Sequence, residues 1–569
     1  MRLFYILTQE SAEAACDRNA LIEKESGDQE VNFKKRFSSM VVVVCCALMV
    51  ALAGCGGTAK DAKPAASGKK VINIGLMNAP AGFNPLEWSD VSQNLVTALL
   101  FLPLVDLEED MTYKSLLADS IETKDNQTYT VKLNPKAKWT DGKPVTTDDV
   151  LFTLKLITNP RVASTVASSF NILEGLDANG KNPSGGDISG AKKLDANTIQ
   201  FKTKKPMDAN LFRDSVGTKL KTMPMHVLKD VAPEKIYQHP FMQKPDVTSG
   251  AFKLAAYQKG QYVQFVANKE YFKGSPKVDE IFLKVMPGPN ITAQLQTGEI
   301  DMNETKVGLV PFEDTEKVKA MTHLTTGFSE PNAIQTLMVN IEKIPDVRVR
   351  KAISYAINRN MIRDNLLKGT GDGIELPYFA FSPFINKAIP VTPYDPEKAK
   401  QLLKEAGWDN AKPIHFDVPT GNKVREQVAD IITENLKQVG LNVQVQKYDF
   451  VTSLAKGKKG EFDIYIVGIP IYYPNNPDVS QILKTGATLN LSRYSNPEMD
   501  QLLLDGMNTV DPEKRKQIYN KVQELFYRDL PCPGVYVQKQ LWAVNKRVLV
   551  GRPRWTGLFS NVQEWDIKQ

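Results

Sequence analysis

The sequence predicts a mixed α/β protein with more than one lobe, and three observations lead there. Short β-branched runs recur between helices with marked ends. Residues 414–445 read as a complete βαβ unit. The chain beyond Cys55 is long enough for several domain-sized cores.

In chain order, residues 1–30 are of mixed charge and carry no targeting character. Translation from Val31 would instead supply a conventional basic start, Val-Asn-Phe-Lys-Lys-Arg-Phe, so 1–30 reads as a miscalled leader. Lys34, Lys35 and Arg36 then precede the apolar run Met40 to Ala51, which falls short of the roughly 20 residues that a bilayer span needs. It is expected to be a signal peptide. The run ends in Leu52-Ala53-Gly54-Cys55, which resembles the bacterial lipobox, and the resemblance implies diacylglyceryl modification of Cys55. An ordinary secretory signal with a chance cysteine is the alternative. Residues 55–70 are Gly, Ala, Lys and Ser with a single proline, Pro64, and read as a flexible tether. Of five cysteines, Cys16, Cys45 and Cys46 leave with the precursor and only Cys532 joins Cys55 in the mature chain. No intrachain disulfide is expected.

Strand signals begin with Val71-Ile72-Asn73-Ile74-Gly75-Leu76 and recur at Tyr129–Leu133, Thr198–Phe201 and Tyr262–Val266. A helix starts at a Thr146 cap with Asp149 at its third position, carries the stripe Val150, Leu154, Ile157, and stops by Pro160. Asp177 to Gly190, rich in Gly, Asn and Ser, reads as a surface excursion. Its Asp177-Ala178-Asn179-Gly180 lacks the carboxylate spacing of a calcium loop and reads as a turn. Asp395-Pro396 caps a helix carrying Leu402, Leu403 and Ala406, with Gly407 placed for a left-handed end. In the βαβ unit, Ile414–Val418 and the alternating Leu441, Val443, Val445 flank a helix buried through Val428, Ile432, Leu436 and Val439. Asp511-Pro512 repeats the capping device before Ile518, Val522, Leu525 and Phe526.

The formal net charge of +6 is spread without long basic blocks, so nucleic acid is not an expected partner. Among catalytic motifs, Ser453-Leu454-Ala455-Lys456 and Lys484-Thr485-Gly486 match two elements of penicillin-binding serine acyl enzymes, but no Ser-Asp-Asn lies between them. That enzyme reading is therefore set aside. His226, His239, His323 and His415 show no metal-ligand spacing, so neither a metal nor another cofactor is expected.

Several segments in one order carry a family resemblance. They are Lys138-Trp139-Thr140-Asp141-Gly142-Lys143-Pro144-Val145-Thr146-Thr147-Asp148-Asp149-Val150, Thr248–Leu254, Asn268–Gly274 and Gly298–Asp301, followed by Asn340, Asp346–Ile357, Tyr394–Pro396 and Tyr494–Asp500. Together behind the lipobox, they resemble the bacterial ABC-transporter solute-binding proteins of the peptide and nickel class. The resemblance implies a two-lobed α/β fold of the periplasmic-binding-protein kind (type II, class C) with an extra domain inserted in the first lobe. It places lobe I at 71–112, 222–330 and 535–569, the inserted domain at 113–221, and lobe II at 331–534. The lobes are expected to close on a ligand like a clamshell, and a monomer to deliver it to membrane permease subunits. The expected location is outside the cytoplasm, on the outer face of a Gram-positive membrane. A receptor or adhesin without transport would use the same fold.

Peptides are the first expected ligand, held extended through backbone pairing. A nickel complex, an opine or a saccharide is the alternative on the same scaffold. Many relatives place a carboxylate after a second-lobe strand to meet the peptide's ammonium, but the loop 469–476 here holds no acid, and Asp478 reads as a turn residue. The expected ligand-binding residues are Phe83, Asn84, Trp88, Ser249 and Gly250 from the first lobe, and Tyr472, Tyr473, Asn475 and Asn476 from the second. Trp139, Asp141 and His226 are expected to serve the fold.

Overall fold

The computed structural model describes residues 68–87, 90–331, 333–470 and 476–568. The leader, the signal peptide, Cys55 and most of the tether lie outside the described residues. Among those described, no helix is long and apolar enough to cross a membrane.

The opening strand, Val71–Leu76, buries Ile72, Ile74 and Leu76 completely. It pairs in parallel with Glu280–Val285 and Met302–Asn303 at the centre of a seven-stranded sheet. Tyr262–Ala267 and Phe252–Gln258 extend that sheet on one side, while Leu541–Asn545 and Leu324–Phe328 complete it on the other, all antiparallel to their neighbours. The expected strands Tyr129–Leu133 and Thr198–Phe201 become Thr128–Leu133 and Thr198–Lys202, paired in a separate four-stranded antiparallel sheet. Its apolar face shares one continuous core with the first sheet, so the inserted domain is packed onto the first lobe.

A six-stranded sheet builds the second lobe, in the order Gly371–Gly373, Gly534–Gln538, Ala333–Val339, Ile464–Pro470, Pro413–Pro419, Asn442–Tyr448. The predicted βαβ unit is present, with Pro413–Pro419 and Asn442–Tyr448 parallel and the helix Lys423–Gln438 between them. Val428, Ile432 and Leu436 cover one face of the sheet through Ile414, Phe416 and Val418. Tyr465, Val467 and Ile469 belong to a second core on the opposite face. The chain is therefore a two-lobed α/β protein with an added domain in the first lobe.

Helix ends follow the capping chemistry read from the sequence. Asp149 accepts from the Thr146 N–H at 2.9 Å before the helix Thr147–Thr158. Asp395 and Asp511 accept from Lys398 and Lys514 N–H at 2.8 and 2.9 Å ahead of Pro396–Glu405 and Pro512–Asp529. Gly407 takes the left-handed φ of 63° foreseen for it, whereas the 512–529 helix ends on Leu530 at φ 46°, a conformation its residue type does not announce. In the 177–190 excursion, Asp177 accepts from the Asn179 and Lys181 N–H groups, which makes it an Asx turn. Trp139 is buried and Asp141 holds His226 at 2.8 Å, both as packing and turn residues.

Candidate functional site

The chain passes between the two large sheets twice, from Phe328 to Ala333 and from Gln538 to Leu541. The two passages lie side by side, because the Ser329 N–H donates to the Gln540 carbonyl at 2.9 Å. Beside them opens a pocket of about 430 Å³, lined by Glu330, Pro331 and Lys539 from the passages and by Asp372, Tyr378 and Phe381 from the second lobe. Phe381 stacks on Phe379 at 5.0 Å and meets Trp555 at 5.3 Å. Trp555 follows Arg554, which pairs with Glu108 of the first lobe at 2.7 Å, so this aromatic contact spans the gap between lobes.

A charged recess lies on the first-lobe side. Asp106, Lys219, Lys221 and Lys306 each keep part of their surface open to solvent. Yet burial pushes the Lys219 and Lys221 ammonium groups down to about 7 and the Asp106 carboxyl up to about 6. Burial likewise lowers Lys306, and it raises Asp214 to about 7. Lys221 is fixed by Asn94 Oδ1 and Thr97 Oγ1, each at 2.7 Å, on the helix Val91–Leu100.

The second lobe reaches this recess through Arg515. Its guanidinium is 1% exposed, donates to Gly506 O at 3.1 Å and Asn476 Oδ1 at 3.3 Å, and lies 5.5 Å from the Phe384 ring. It stands 3.7 Å from Asp208 of the inserted domain, and its charge acts on Asp214 beyond. Arg515 thus links the loop before helix Ser480–Leu483 to the recess wall.

The expected ligand residues fall differently. Phe83 is buried edge-on against Tyr257 at 5.2 Å. Asn84 Oδ1 accepts from Leu86 N–H, and its carbonyl from Gln93 Nε2, both at 2.9 Å. Ser249 and Gly250 spend their N–H groups on Leu100 O, at 3.0 and 2.9 Å, rather than offering them to an extended ligand. The Gly250 carbonyl accepts from Asn268 Nδ2 at 3.0 Å, and a Cβ at Gly250 would stand 2.0 Å from Leu99 O. These four residues bracket the two ends of helix Val91–Leu100, which carries the partners of Lys221. The polar groups of Asn84, Ser249 and Gly250 are thus engaged within the first lobe. Asn476 holds Arg515, while Trp88, Tyr472, Tyr473 and Asn475 lie outside the described residues. Ser453, the nucleophile of the discarded enzyme reading, is completely buried.

Asp106, Asp208, Lys219, Lys221, Lys306 and Arg515 went unmarked in the sequence because they share no motif and converge only on folding.

Residues 112–490 match the family model described as "Bacterial extracellular solute-binding proteins, family 5 Middle". The chain is 27% identical over 538 residues to the oligopeptide-binding protein AppA of Bacillus subtilis (strain 168), covering 88% of this chain and 94% of that one. The structure of AppA from Bacillus subtilis in complex with a nonapeptide superposes with a TM-score of 0.70 at 25% identity, covering 88% of this chain and 100% of that one. The ABC transporter substrate binding protein CtaP from Listeria monocytogenes gives 0.77 at 23% identity, with coverage of 88% and 100%.

Proposed function

The chain belongs to the bacterial extracellular solute-binding proteins of family 5, which are binding components of transporters and not enzymes, and we propose that it captures oligopeptides or dipeptides between its lobes for an ABC importer. The observation that carries this reading is the recess itself. Lys219, Lys221 and Lys306 share it with Asp106, so both charged ends of a zwitterion would meet an opposite charge there. The oligopeptide-binding relative supports the same ligand class. Arg515 and the Phe381–Trp555 contact bring the two lobes together, and a ligand touching both walls would bias the pair toward the closed state. A lipid on Cys55 would hold this monomer at the outer membrane face, where its closed form would meet the permease subunits.

Calorimetric titration with short peptides and their N-acetylated and C-amidated forms tests the ligand class. Peptides with both termini free are expected to bind, with loss of affinity when either terminus is blocked. Binding of a nickel complex, opine or saccharide with no response to any peptide would overturn the peptide assignment.

A further inference from the structure

The second lobe buries a set of polar groups beneath the helix Phe450–Lys459. From strand Pro413–Pro419 the chain runs through helix Lys423–Gln438 to Asn442–Tyr448, and it returns through helix Phe450–Lys459 to Ile464–Pro470 on the other side of the starting strand. Pro413–Pro419 and Ile464–Pro470 are therefore parallel neighbours at a point where the winding reverses.

Asp417 and Tyr465 are register partners across those two strands, so their side chains leave the same face of the sheet. Ser453, from the returning helix, lies beside the Tyr465 hydroxyl. Gly457 on that helix lets the Tyr465 ring approach, since a Cβ there would stand 3.2 Å from Cε1. Asp417 is 1% exposed, and Ser453 and Tyr465 are fully buried. Both Asp417 oxygens have no hydrogen-bond partner among the described residues, and Ser453 Oγ and Tyr465 Oη have only each other within reach.

A buried carboxylate with no partner costs several kcal/mol, and buried polar atoms without partners call for water or an ion. The charged neighbours do not fill that role. Lys456 lies over the Tyr448 ring at 5.0 Å, Lys343 pairs with Asp463 at 3.2 Å, and His415 acts on Asp417 only at a distance. The open donors are all oxygen, with one formal negative charge. That set suits a hard ion of low charge, whereas calcium takes more carboxylates and transition metals favour nitrogen or sulfur. Among the described residues no group of three or more His, Cys, Asp or Glu could hold a metal.

We infer that Asp417, Ser453 and Tyr465 form a binding site for a small monovalent cation within the second lobe, pinning helix Phe450–Lys459 to the two strands beneath it. The site is independent of the peptide assignment, because its residues lie on the second-lobe sheet and its returning helix while Asp106, Lys219, Lys221 and Lys306 lie in the first lobe and inserted domain.

Thermal unfolding of the full chain without added ligand tests it, in sodium, potassium, ammonium or choline chloride at equal ionic strength. One of the small cations is expected to raise Tm over choline by about 2 °C or more, saturably. Asp417→Asn is expected to abolish the difference, and Tyr465→Phe to raise the cation concentration needed for half of it. Identical Tm in all four salts, or a cation effect that survives Asp417→Asn, overturns the inference. Crystals soaked in thallium(I) provide a readout that needs no variant: an anomalous peak beside Asp417 supports the site, and its absence contradicts it.

Discussion

Arg515 on the helix Pro512–Asp529 of the second lobe stands 3.7 Å from Asp208 of the inserted domain, with Arg515 buried and Asp208 nearly so. The pair joins parts of the molecule that belong to different lobes. Because Arg515 is also held by Gly506 and Asn476, its removal would disturb the second lobe, and Asp208 is the better place to probe the contact. Asp208→Asn keeps a side-chain oxygen that can cap helix Ala209–Phe212 while discarding the charge. The expected result is a larger radius of gyration without ligand and a ligand affinity weaker by roughly 1 kcal/mol, about fivefold. Small-angle scattering and calorimetry check both, and an unchanged radius with unchanged affinity would show that the pair does not hold the lobes.

The recess makes binding depend on pH near neutrality. Lys219 and Lys221 lose their charge as pH rises through about 7, while Asp106 and Asp214 gain theirs through about 6 and about 7. Every one of these changes makes the recess less positive as pH rises. Affinity for a ligand carboxylate is therefore expected to fall between about pH 6 and pH 8.5, with proton uptake on binding. Titrations in buffers of different ionisation enthalpy measure that uptake. Lys221→Met should flatten the profile, and a profile already flat in the unaltered protein would contradict the assignment.

Asp417 gives a stability signature of its own. Burial raises its carboxyl to about 6, above its unfolded value, so the folded state gives up its proton less readily. Its contribution is favourable below about pH 4 and is lost as pH rises through about 6. In choline buffer near pH 8, Asp417→Asn is expected to stabilise the protein by roughly 2 kcal/mol, and near pH 4 to change little. Denaturant unfolding at the two pH values decides this, and an equal effect at both would remove the buried charge as its cause.

Gly250 separates a wall-building role from a ligand role. Its N–H is already used, and a methyl group there would press on Leu99 O at 2.0 Å. Gly250→Ala is expected to cost about 2–4 kcal/mol of stability, with the affinity of the folded fraction little changed. A loss of affinity at unchanged Tm would return Gly250 to the ligand-contact set.

Much of the architecture is written locally. Asp395-Pro396 and Asp511-Pro512 start helices through contacts within four residues, and the alternation of Leu441, Val443 and Val445 marks a strand whichever partner it finds. The recess follows another rule. Lys221 gains its meaning from Asn94 and Thr97, and Arg515 from Asp208, across separations that no periodicity or motif encodes. The loop residues expected to face ligand, Asn84 and Ser249, looked available because polar residues in loops commonly are. Their hydrogen-bonding groups are instead taken up at the ends of one helix, a competition that sequence spacing does not reveal.

The most direct test of a peptide-capturing protein is native mass spectrometry of the full chain purified gently from its own organism. A ladder of bound masses differing by amino-acid residues is the predicted result. A single bound mass that is not a peptide would contradict it.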